Sequence, residues 1–316
     1  MVLYYKVMNT LVLRLIILIL SVGSAPLFAI VPMDPRLPPL NAQSAGMGFS
    51  GAVMATDPAI IYWNPAGLAL IDFQGVDLSI SSPDINLPSS GSVLVANHLH
   101  EKKDMLGLGF TTRYTPFASS GVVHNYLSYA IFNPIAFAHP KLQRVGFGAT
   151  PKFTMEKADD GWKYGYALDI GLMWRVWNEL YTGATIQNLV GSPLKSFQRD
   201  AWAGISYGDY YTPLQFSAMI GLEKPRRRSY LATHFSYGAS YRVSPKYPEI
   251  RGGYARRGDT GWITSGFSYP IPKNHTRLDY AILVNMADRS DVVQYLTWGY
   301  TIGPDPVAKA LRQMGE

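Results

Sequence analysis

The sequence contains no cysteine, which excludes a disulfide framework and any metal site built on thiolates. Charged residues make up only 16% of the 316 positions, a low share for a soluble domain. Beyond the first 30 residues, no apolar run is long enough for a membrane-spanning helix. Basic residues are scattered and form no stripe with aromatic residues, so nucleic acid is not an expected partner. Glycine and tyrosine are plentiful instead, with 29 and 21 residues.

The first 29 residues have the pattern of a secretory signal peptide. Lys6 and Arg14 supply positive charge, Leu15–Val22 forms the apolar core, and Ala29 offers a small residue for cleavage. An uncleaved anchor helix is the alternative, but the apolar core is short for a full span. We therefore predict a signal peptide over residues 1–29 and a bacterial cell-envelope protein beyond it.

From about residue 72 onward, apolar residues alternate with small or polar residues, which predicts β-strands. The clearest example is the run Lys163–Val176, where one face is apolar and the other is small or charged. The apolar face consists of Tyr164, Tyr166, Leu168, Ile170, Leu172, Trp174 and Val176. A tilted strand needs about 9–11 residues to cross a membrane, and this run is long enough.

The same alternation recurs along the chain. It is clear at 105–114, 144–154, 230–243, 277–285 and 292–302, and weaker at 73–82, 91–100, 121–133, 179–189, 199–208, 213–223, 248–256 and 260–271. We predict an all-β fold, a transmembrane antiparallel β-barrel of about fourteen strands over residues 72–303. Closure is expected because an open sheet edge in hydrocarbon would leave backbone groups without partners. Residues 304–316 form a C-terminal tail.

Residues 30–71 do not share this alternation. The stretch 30–43 is a proline-rich lead-in, and 44–71 is apolar but broken by Asp57-Pro58 and Asn64-Pro65. A compact apolar segment that is neither strand nor long helix requires an enclosure. We predict a hatch inside the barrel. Its candidate gating residues are Gly46, Gly48, Gly51, Asp57, Pro58, Asn64, Pro65, Ala66 and Gly67.

Gly46, Gly48 and Gly51 also form the pattern G-x-G-x-x-G. A dinucleotide site needs a strand before this pattern and a helix after it. The preceding PRLPPLNAQSA is no buried strand, and Pro58 interrupts any long helix that follows. We therefore interpret the glycines as positions where backbone packs closely inside a lumen.

The run Ala55–Leu68, A-x-D-P-A-x-x-x-x-N-P-A-G-L, resembles the N-terminal hatch signature of the FadL/OmpP1/TodX family of outer-membrane transport proteins. It is also similar to the signature of the shorter PorV/PorQ-type relatives. The later segments Ile250–Tyr254, Gly266-Phe267 and Leu278–Ala281 resemble the family's C-terminal pattern. Hatch and strands together extend this resemblance over most of the chain.

The resemblance implies a hatch-plugged barrel in the bacterial outer membrane that passes small hydrophobic molecules, with an exit through a gap in the barrel wall. Fatty-acid members have long external loops that gather the ligand, whereas the predicted external connections are short here. A PorV-like accessory role in protein secretion or surface attachment is therefore the alternative. Expected partners are outer-membrane lipid and lipopolysaccharide, a hydrophobic small-molecule ligand, or secretion-system proteins. No cofactor is expected.

Charged residues on the small face of the strands are predicted to line the lumen, where they either pair across it or form a polar path. They are Arg113, Arg144, Lys152, Asp169, Arg175, Arg251 and Asp279. His98 and His100 share one strand face, but two histidines are an incomplete metal site. Arg226–Arg228 is either a solvated turn or a contact for lipopolysaccharide phosphates.

No nucleophile elbow, H-E-x-x-H pattern or paired acid signature occurs in the sequence. A Ser/His pair built on His124 or His234 is the remaining catalytic alternative. We do not expect an enzyme.

Overall fold

The structure is a computed structural model that describes residues 41–54, 58–71, 74–82, 90–100, 104–115, 120–132, 145–158, 160–177, 179–191, 194, 199–208, 212–224, 232–243, 247–271, 275–288 and 291–302. The predicted signal peptide, the lead-in up to residue 40 and the C-terminal tail lie outside these residues. Within the described ranges, no helix is long and apolar enough to cross a membrane.

Fourteen strands in the described chain close into one antiparallel barrel, as the alternation predicts. Each strand pairs with its neighbours in sequence, and β1 pairs with β14 to close the cylinder. The strands are β1 (Gln74–Ser82), β2 (Ser90–His100), β3 (Asp104–Thr115), β4 (Ser120–Phe132), β5 (Val145–Ala158), β6 (Gly161–Arg175), β7 (Leu180–Gly191), β8 (Arg199–Tyr207), β9 (Leu214–Lys224), β10 (Ala232–Tyr241), β11 (Glu249–Arg257), β12 (Thr260–Ile271), β13 (Thr276–Asn285) and β14 (Val292–Ile302).

Away from the register shifts in β2–β3 and β6–β7, side chains alternate between the two sides of the wall. In β6, Tyr166 points outward and is 65% exposed, while Asp169 points inward and is fully buried. In β10, Phe235 and Tyr237 point outward and His234 is buried. The outward surface is therefore a continuous apolar face of the kind that lipid covers, and the polar face is inside.

The lumen is filled by the N-terminal segment, which folds into four short pieces. They are α1 (Ala42–Gly46), the first 3₁₀ turn (Gly51–Val53), α2 (Ile60–Trp63) and the second 3₁₀ turn (Pro65–Leu70). Their apolar side chains form one buried cluster with inward residues of the wall. This cluster includes Phe49, Ile60, Ile61, Trp63, Leu68, Trp202, Met219, Trp262 and Tyr295. We call residues 41–71 the hatch.

Caps and breakers in the sequence account for the short pieces of the hatch. Asn41 caps α1, because its side chain accepts a hydrogen bond from the Ser44 backbone N–H. Gly48 follows with φ of 66°, a left-handed conformation that ends the helix at little steric cost. Asn64 caps the second 3₁₀ turn, and Pro65 occupies its first position.

Candidate functional site: the hatch and the inner wall

Asn64 connects the hatch to the wall through its side-chain amide. Its Oδ1 accepts a hydrogen bond from the Ala66 backbone N–H at 3.1 Å, which holds the turn. Its Nδ2 donates to the Leu172 backbone oxygen of β6, also at 3.1 Å. The residue is fully buried, so both bonds lie in a dry environment where an unpaired amide would be unfavourable.

The wall around Asn64 is made of inward-facing glycines on three adjacent strands. A Cβ at Gly171 of β6 would lie 2.0 Å from Asn64 Oδ1, and one at Gly148 of β5 would lie 2.3 Å from the carbonyl carbon of Pro65. A Cβ at Gly183 of β7 would come within 3.1 Å of Asn64 Nδ2. Any larger residue would push the turn away from the wall. We call Gly148, Gly171 and Gly183 the glycine cradle.

The other end of the hatch packs on β10, β11 and β12. The Gly48 backbone N–H donates to Thr264 Oγ1 at 3.1 Å, and the same hydroxyl donates to the Gly46 carbonyl at 2.9 Å. A Cβ at Gly238 of β10 would lie 2.3 Å from the Met47 oxygen. One at Gly253 of β11 would lie 2.6 Å from the Gly48 nitrogen. Backbone therefore meets backbone at this end as well.

The start of α1 is fixed to the seam where the first and last strands meet. Asn41 Nδ2 donates to Asp77 Oδ2 of β1 at 3.0 Å. The Ala42 backbone N–H donates to Thr297 Oγ1 of β14 at 2.8 Å. Across the seam, the hydroxyls of Ser79 and Thr297 lie 2.8 Å apart. The hatch thus bonds to both strands that close the barrel.

A buried ionic network lies beside this seam. Arg277 pairs with Asp77 at 3.0 Å and with Asp279 at 2.6 Å. Arg251 pairs with Asp279 at 3.2 Å and with Glu249 at 2.7 Å. Arg242 lies 3.9 Å from the other Glu249 oxygen, so three arginines are matched by three carboxylates. The Asp77 end of the network contacts the hatch through Asn41. Removing one member would leave a buried charge without its partner.

A second buried pair lies on β5 and β6. Lys152 Nζ is 2.7 Å from Asp169 Oδ2 and donates to Asn188 Oδ1 at 3.0 Å. The Asn188 backbone N–H donates to Asp169 Oδ1 at 2.7 Å. Asn188 has a φ of 54°, and the β6–β7 register shifts between Leu168 and Ile170 at this level. The network therefore fills an irregularity in the wall.

A third cluster lies on β8 to β11, towards the rim opposite to the one where β1 starts and β14 ends. His234 Nε2 is 2.5 Å from Glu223 Oε2, and Arg257 is 3.4 Å from Asp200. The Trp202 ring stacks on His234 with the ring centroids 5.5 Å apart, and Trp202 packs edge-on against Trp63 of the hatch. His234 thus contacts a carboxylate and an indole.

The structure brings most of the predicted site residues into the lumen. Pro58, Ala66, Gly51 and Gly67 are buried in the hatch, and Cβ atoms at both glycines would clash with hatch side chains. Among the predicted lumen charges, Lys152, Asp169, Arg251 and Asp279 are buried in ion pairs. Arg175 is half-buried, with its guanidinium 5.6 Å from the centre of the Tyr181 ring. Asp57, Arg144 and Arg226–Arg228 lie outside the described residues, as do the side chains of Arg113 and His124.

Several residues of the site were not singled out from the sequence. These are the cradle glycines, the wall residues Asp77, Thr264, Arg277 and Thr297, and the cap Asn41. One signal for the glycines was present, because a glycine inside a strand often marks close approach of another backbone. Asp77 and Arg277 carried no such signal, since they are neighbours only in the closed barrel.

The G-x-G-x-x-G pattern and the pair His98 and His100 also have defined positions on the chain. Gly46 ends the one-turn helix α1, Gly51 begins the first 3₁₀ turn, and Gly48 lies between them. This is not the strand–turn–helix context of a dinucleotide site. The β2–β3 register shifts between His98 and His100. Among the described residues, no group of three or more histidines and carboxylates could hold a metal ion.

A closed fourteen-stranded barrel with its N-terminal segment folded in the lumen defines the class of plugged transmembrane β-barrels. The fold is similar to the Ralstonia pickettii toluene transporter TbuX, with a TM-score of 0.62 and 16% identity over 84% of this chain and 98% of that one. It is also similar to the Pseudomonas putida toluene transporter TodX, with a TM-score of 0.59 and 11% identity over 87% of this chain and 98% of that one. A Pseudomonas aeruginosa FadL homologue gives a TM-score of 0.58 at 10% identity, covering 84% and 98% of the two chains.

No family model and no curated protein matches the sequence. At these identities, the solved structures show a shared fold, which agrees with the fold that the resemblance to FadL and TodX implies. The resemblance to PorV- and PorQ-type proteins stays a prediction.

Proposed function

We propose that this chain is an outer-membrane channel for small hydrophobic molecules and that the hatch shifts to open it. The observation that carries the proposal is the occupied lumen, where an apolar segment is attached by individual hydrogen bonds and by close backbone packing. The fold supports it, because TbuX and TodX, which share this fold, are toluene transporters.

The hatch can serve as the moving part because it is held to the wall by separate hydrogen bonds and not by a continuous ladder. Besides the bonds at α1, Ser206 donates to the Val53 oxygen and Gln187 donates to the Tyr62 oxygen. Asn64 makes one bond to the β6 backbone, and Gly48 makes one bond to Thr264. The hatch side chains that meet the wall are largely apolar, including Phe49, Ile61 and Trp63. A displacement would therefore expose an apolar path, and the hydrogen bonds of the displaced part would have to exchange partners.

The proposed exit for the molecule lies in the wall at β4 to β7. The β4–β5 pairing stops at Tyr126↔Lys152 and resumes at Tyr129↔Ala149, with Pro151 in the interval. Proline has no N–H to donate, so the ladder is weakened there. The β6–β7 register shift lies at the same level on the other side of β6, because Pro151 pairs with Leu168. The strip between β4 and β7 is thus the proposed weak region.

A reversible lock on the hatch tests the gating proposal. A Cβ at Gly46 would lie 3.6 Å from Ala281 Cβ of β13, within the range that a disulfide spans. The chain has no cysteine of its own, so the pair Gly46→Cys with Ala281→Cys forms the single possible bridge. We expect toluene permeation into liposomes to be slow in the oxidised variant and to recover after reduction.

Each single-cysteine variant, oxidised and reduced in the same way, is the control for the lock. Equal toluene permeation in the oxidised and reduced double variant would show that this end of the hatch does not gate the channel. Absence of toluene permeation in the native protein, with liposome insertion verified, would contradict the channel itself. For the exit, Pro151→Val restores the missing N–H and is expected to slow toluene permeation while the hatch stays in place.

The alternative role as a secretion or surface-attachment accessory has one supporting feature. A two-residue turn at Gly258 and Asp259 joins β11 to β12, at the rim opposite to the one where β1 begins and β14 ends. This short turn leaves the ends of β11 and β12 accessible to another protein. Recovery of one stoichiometric partner from mildly solubilised membranes, together with no toluene permeation, would favour this role.

A further inference from the structure

Three outward positions on adjacent strands are small and lie directly opposite one another. Ala239 of β10 pairs with Gly252 of β11, and Gly252 pairs with Ser265 of β12. All three point away from the lumen, because their neighbours in sequence are the inward residues of these strands. The row interrupts an outer wall whose outward residues are otherwise mostly large and apolar.

Large side chains border this row on both sides. Tyr237 pairs with Tyr254, and their rings lie 5.6 Å apart. On the other side, Tyr241 pairs with Ile250, and Ile250 with Phe267. A row of small residues between two rows of large ones makes a groove in the outer surface. We call it the β10–β13 groove.

The β10–β13 groove has a volume of about 640 Å³ and a mainly apolar lining. Its lining extends over five strands, from Leu214 of β9 to Tyr280 and Ile282 of β13. Arg251 also borders it, but that guanidinium is already paired inside the barrel with Glu249 and Asp279. The groove thus offers carbon surface, aromatic rings and the hydroxyl-bearing side chains of Ser265, Tyr241 and Tyr280.

No close contact within the protein requires glycine at position 252. A Cβ there would meet only the Thr264 oxygen, at 3.9 Å, and would otherwise point into open space. The inward Gly238 and Gly253 on either side are different, because their Cβ atoms would clash with the hatch backbone. Packing therefore explains the inner glycines, whereas the outer one keeps the floor of the groove low.

We propose that the β10–β13 groove binds one alkyl chain of a membrane phospholipid. The groove lies in the lipid-facing wall. It begins at the rim where β1 starts and β14 ends, since Tyr241 ends β10 and Ile250 is the second residue of β11. Phospholipid chains are the molecules that cover this surface in a bilayer, and they enter from the interface at that rim.

Retention of this chain depends on shape and not on the hydrophobic effect. Lipid hydrocarbon is as apolar as the groove, so transfer between them yields little free energy by itself. A chain seated on the small residues around Gly252 contacts this floor and also the side chains of Ile250 and Phe267 beside it, so it makes more contacts than a chain on a flat part of the wall. We therefore expect one phospholipid chain to stay bound in the groove, while the other lipids around the barrel exchange freely.

Native mass spectrometry of the protein, extracted from membranes in a mild detergent, tests the proposal. We expect one phospholipid per barrel to remain bound. Gly252→Phe places a ring on the groove floor, and the retained fraction is expected to fall about tenfold. Delipidated native protein should regain one lipid from added phosphatidylethanolamine, and the variant should not.

Ala203→Phe is the matched control, because Ala203 is an exposed outward residue of β8 that is bordered by Ile220. It should retain the lipid like the native chain. If Gly252→Phe does not fold, the smaller change Ala239→Leu with Ser265→Leu fills the same floor. Equal lipid retention in the filled and control variants would overturn the proposal. The proposal would also fail if the native barrel retained no lipid, or if the molecule that it retained were not a phospholipid. None of these outcomes depends on whether the channel conducts.

Discussion

The two ends of the hatch are held to the wall in different ways. The α1 end is held mainly by polar groups, from the Asn41–Asp77 bond to the Thr264 hydroxyl that bridges two backbone positions. The Asn64 end is held by shape together with two side-chain amides. Three glycines let the turn approach the wall, Asn64 donates to the Leu172 oxygen, and Gln187 of β7 donates to the Tyr62 oxygen at 2.6 Å.

This difference shows that one plug can combine two kinds of specificity. Polar bonds fix the register of α1 on the seam, because each donor has one acceptor at the right place. The glycine cradle admits the Asn64 turn and excludes any arrangement in which a wall side chain projects inward. We expect the two ends to respond independently to mutation, because they contact different strands.

The variants that follow share a readout, the thiol-labelling rate of one buried cysteine in each end of the hatch. Ala45→Cys reports on α1 and Ala66→Cys on the second 3₁₀ turn, because both alanines are fully buried and the native chain has no cysteine. Faster labelling at one position and not the other means that one end has loosened locally.

The largest effect is expected from Asp279→Asn. It removes the carboxylate that Arg251 and Arg277 share, and breaking a buried pair in this way destabilises a protein by about 3–5 kcal/mol. Urea unfolding in detergent should show this loss, and labelling at Ala45→Cys should accelerate. Unchanged unfolding would show that the network contributes nothing to stability.

A smaller loss is expected from Gly171→Ala, whose new methyl group would collide with Asn64 Oδ1. Overpacking of this kind destabilises by about 1–3 kcal/mol. Labelling should accelerate at Ala66→Cys but not at Ala45→Cys. Gly252→Ala is the matched control on the outer face, where it meets open space, and its stability should be unchanged or slightly raised. If both ends loosen together, the hatch is one rigid unit and the comparison fails.

Asn64→Ala should loosen the same end by about 1–2 kcal/mol, because it removes a cap and the bond to the Leu172 oxygen. Asn64→Asp keeps the cap acceptor and removes the donor to β6, so it separates the two contributions. Labelling at Ala66→Cys should rank alanine above aspartate above native. The reverse order would show that the cap is unimportant.

The smallest effect is expected from Thr297→Val, which preserves shape and removes the hydroxyl that accepts from the Ala42 N–H. The same hydroxyl also bonds to Ser79, and each bond of this kind is worth about 1 kcal/mol. Only labelling at Ala45→Cys should change, and overall unfolding should shift little. A change at Ala66→Cys would indicate coupling between the two ends.

The strands could be predicted from the sequence because alternation is a local property. Lys163–Val176 already separates lipid-facing from lumen-facing residues, and β6 occupies nearly the same range. The shortness of the hatch helices could also be predicted, since Pro58 and Pro65 limit helix length wherever they occur. In both cases the information lies within a few residues of the position concerned.

The pairings across the lumen could not be predicted in this way. Asp77 and Arg277 meet because β1 and β13 both flank β14, and this follows only from closure and register. Gly171 could be seen to face inward, but its partner Asn64 depends on how the hatch sits in the lumen. Such contacts are properties of the assembled barrel.

The seam contact of α1 has a consequence for the order in which the molecule forms. Thr297, which receives the Ala42 N–H, lies in the strand that is synthesised last, whereas α1 is among the first parts made. The complete docking site of α1, Asp77 of β1 with Thr297 of β14, exists only where these two strands meet. We therefore expect α1 to take its place after β14 has paired with β1.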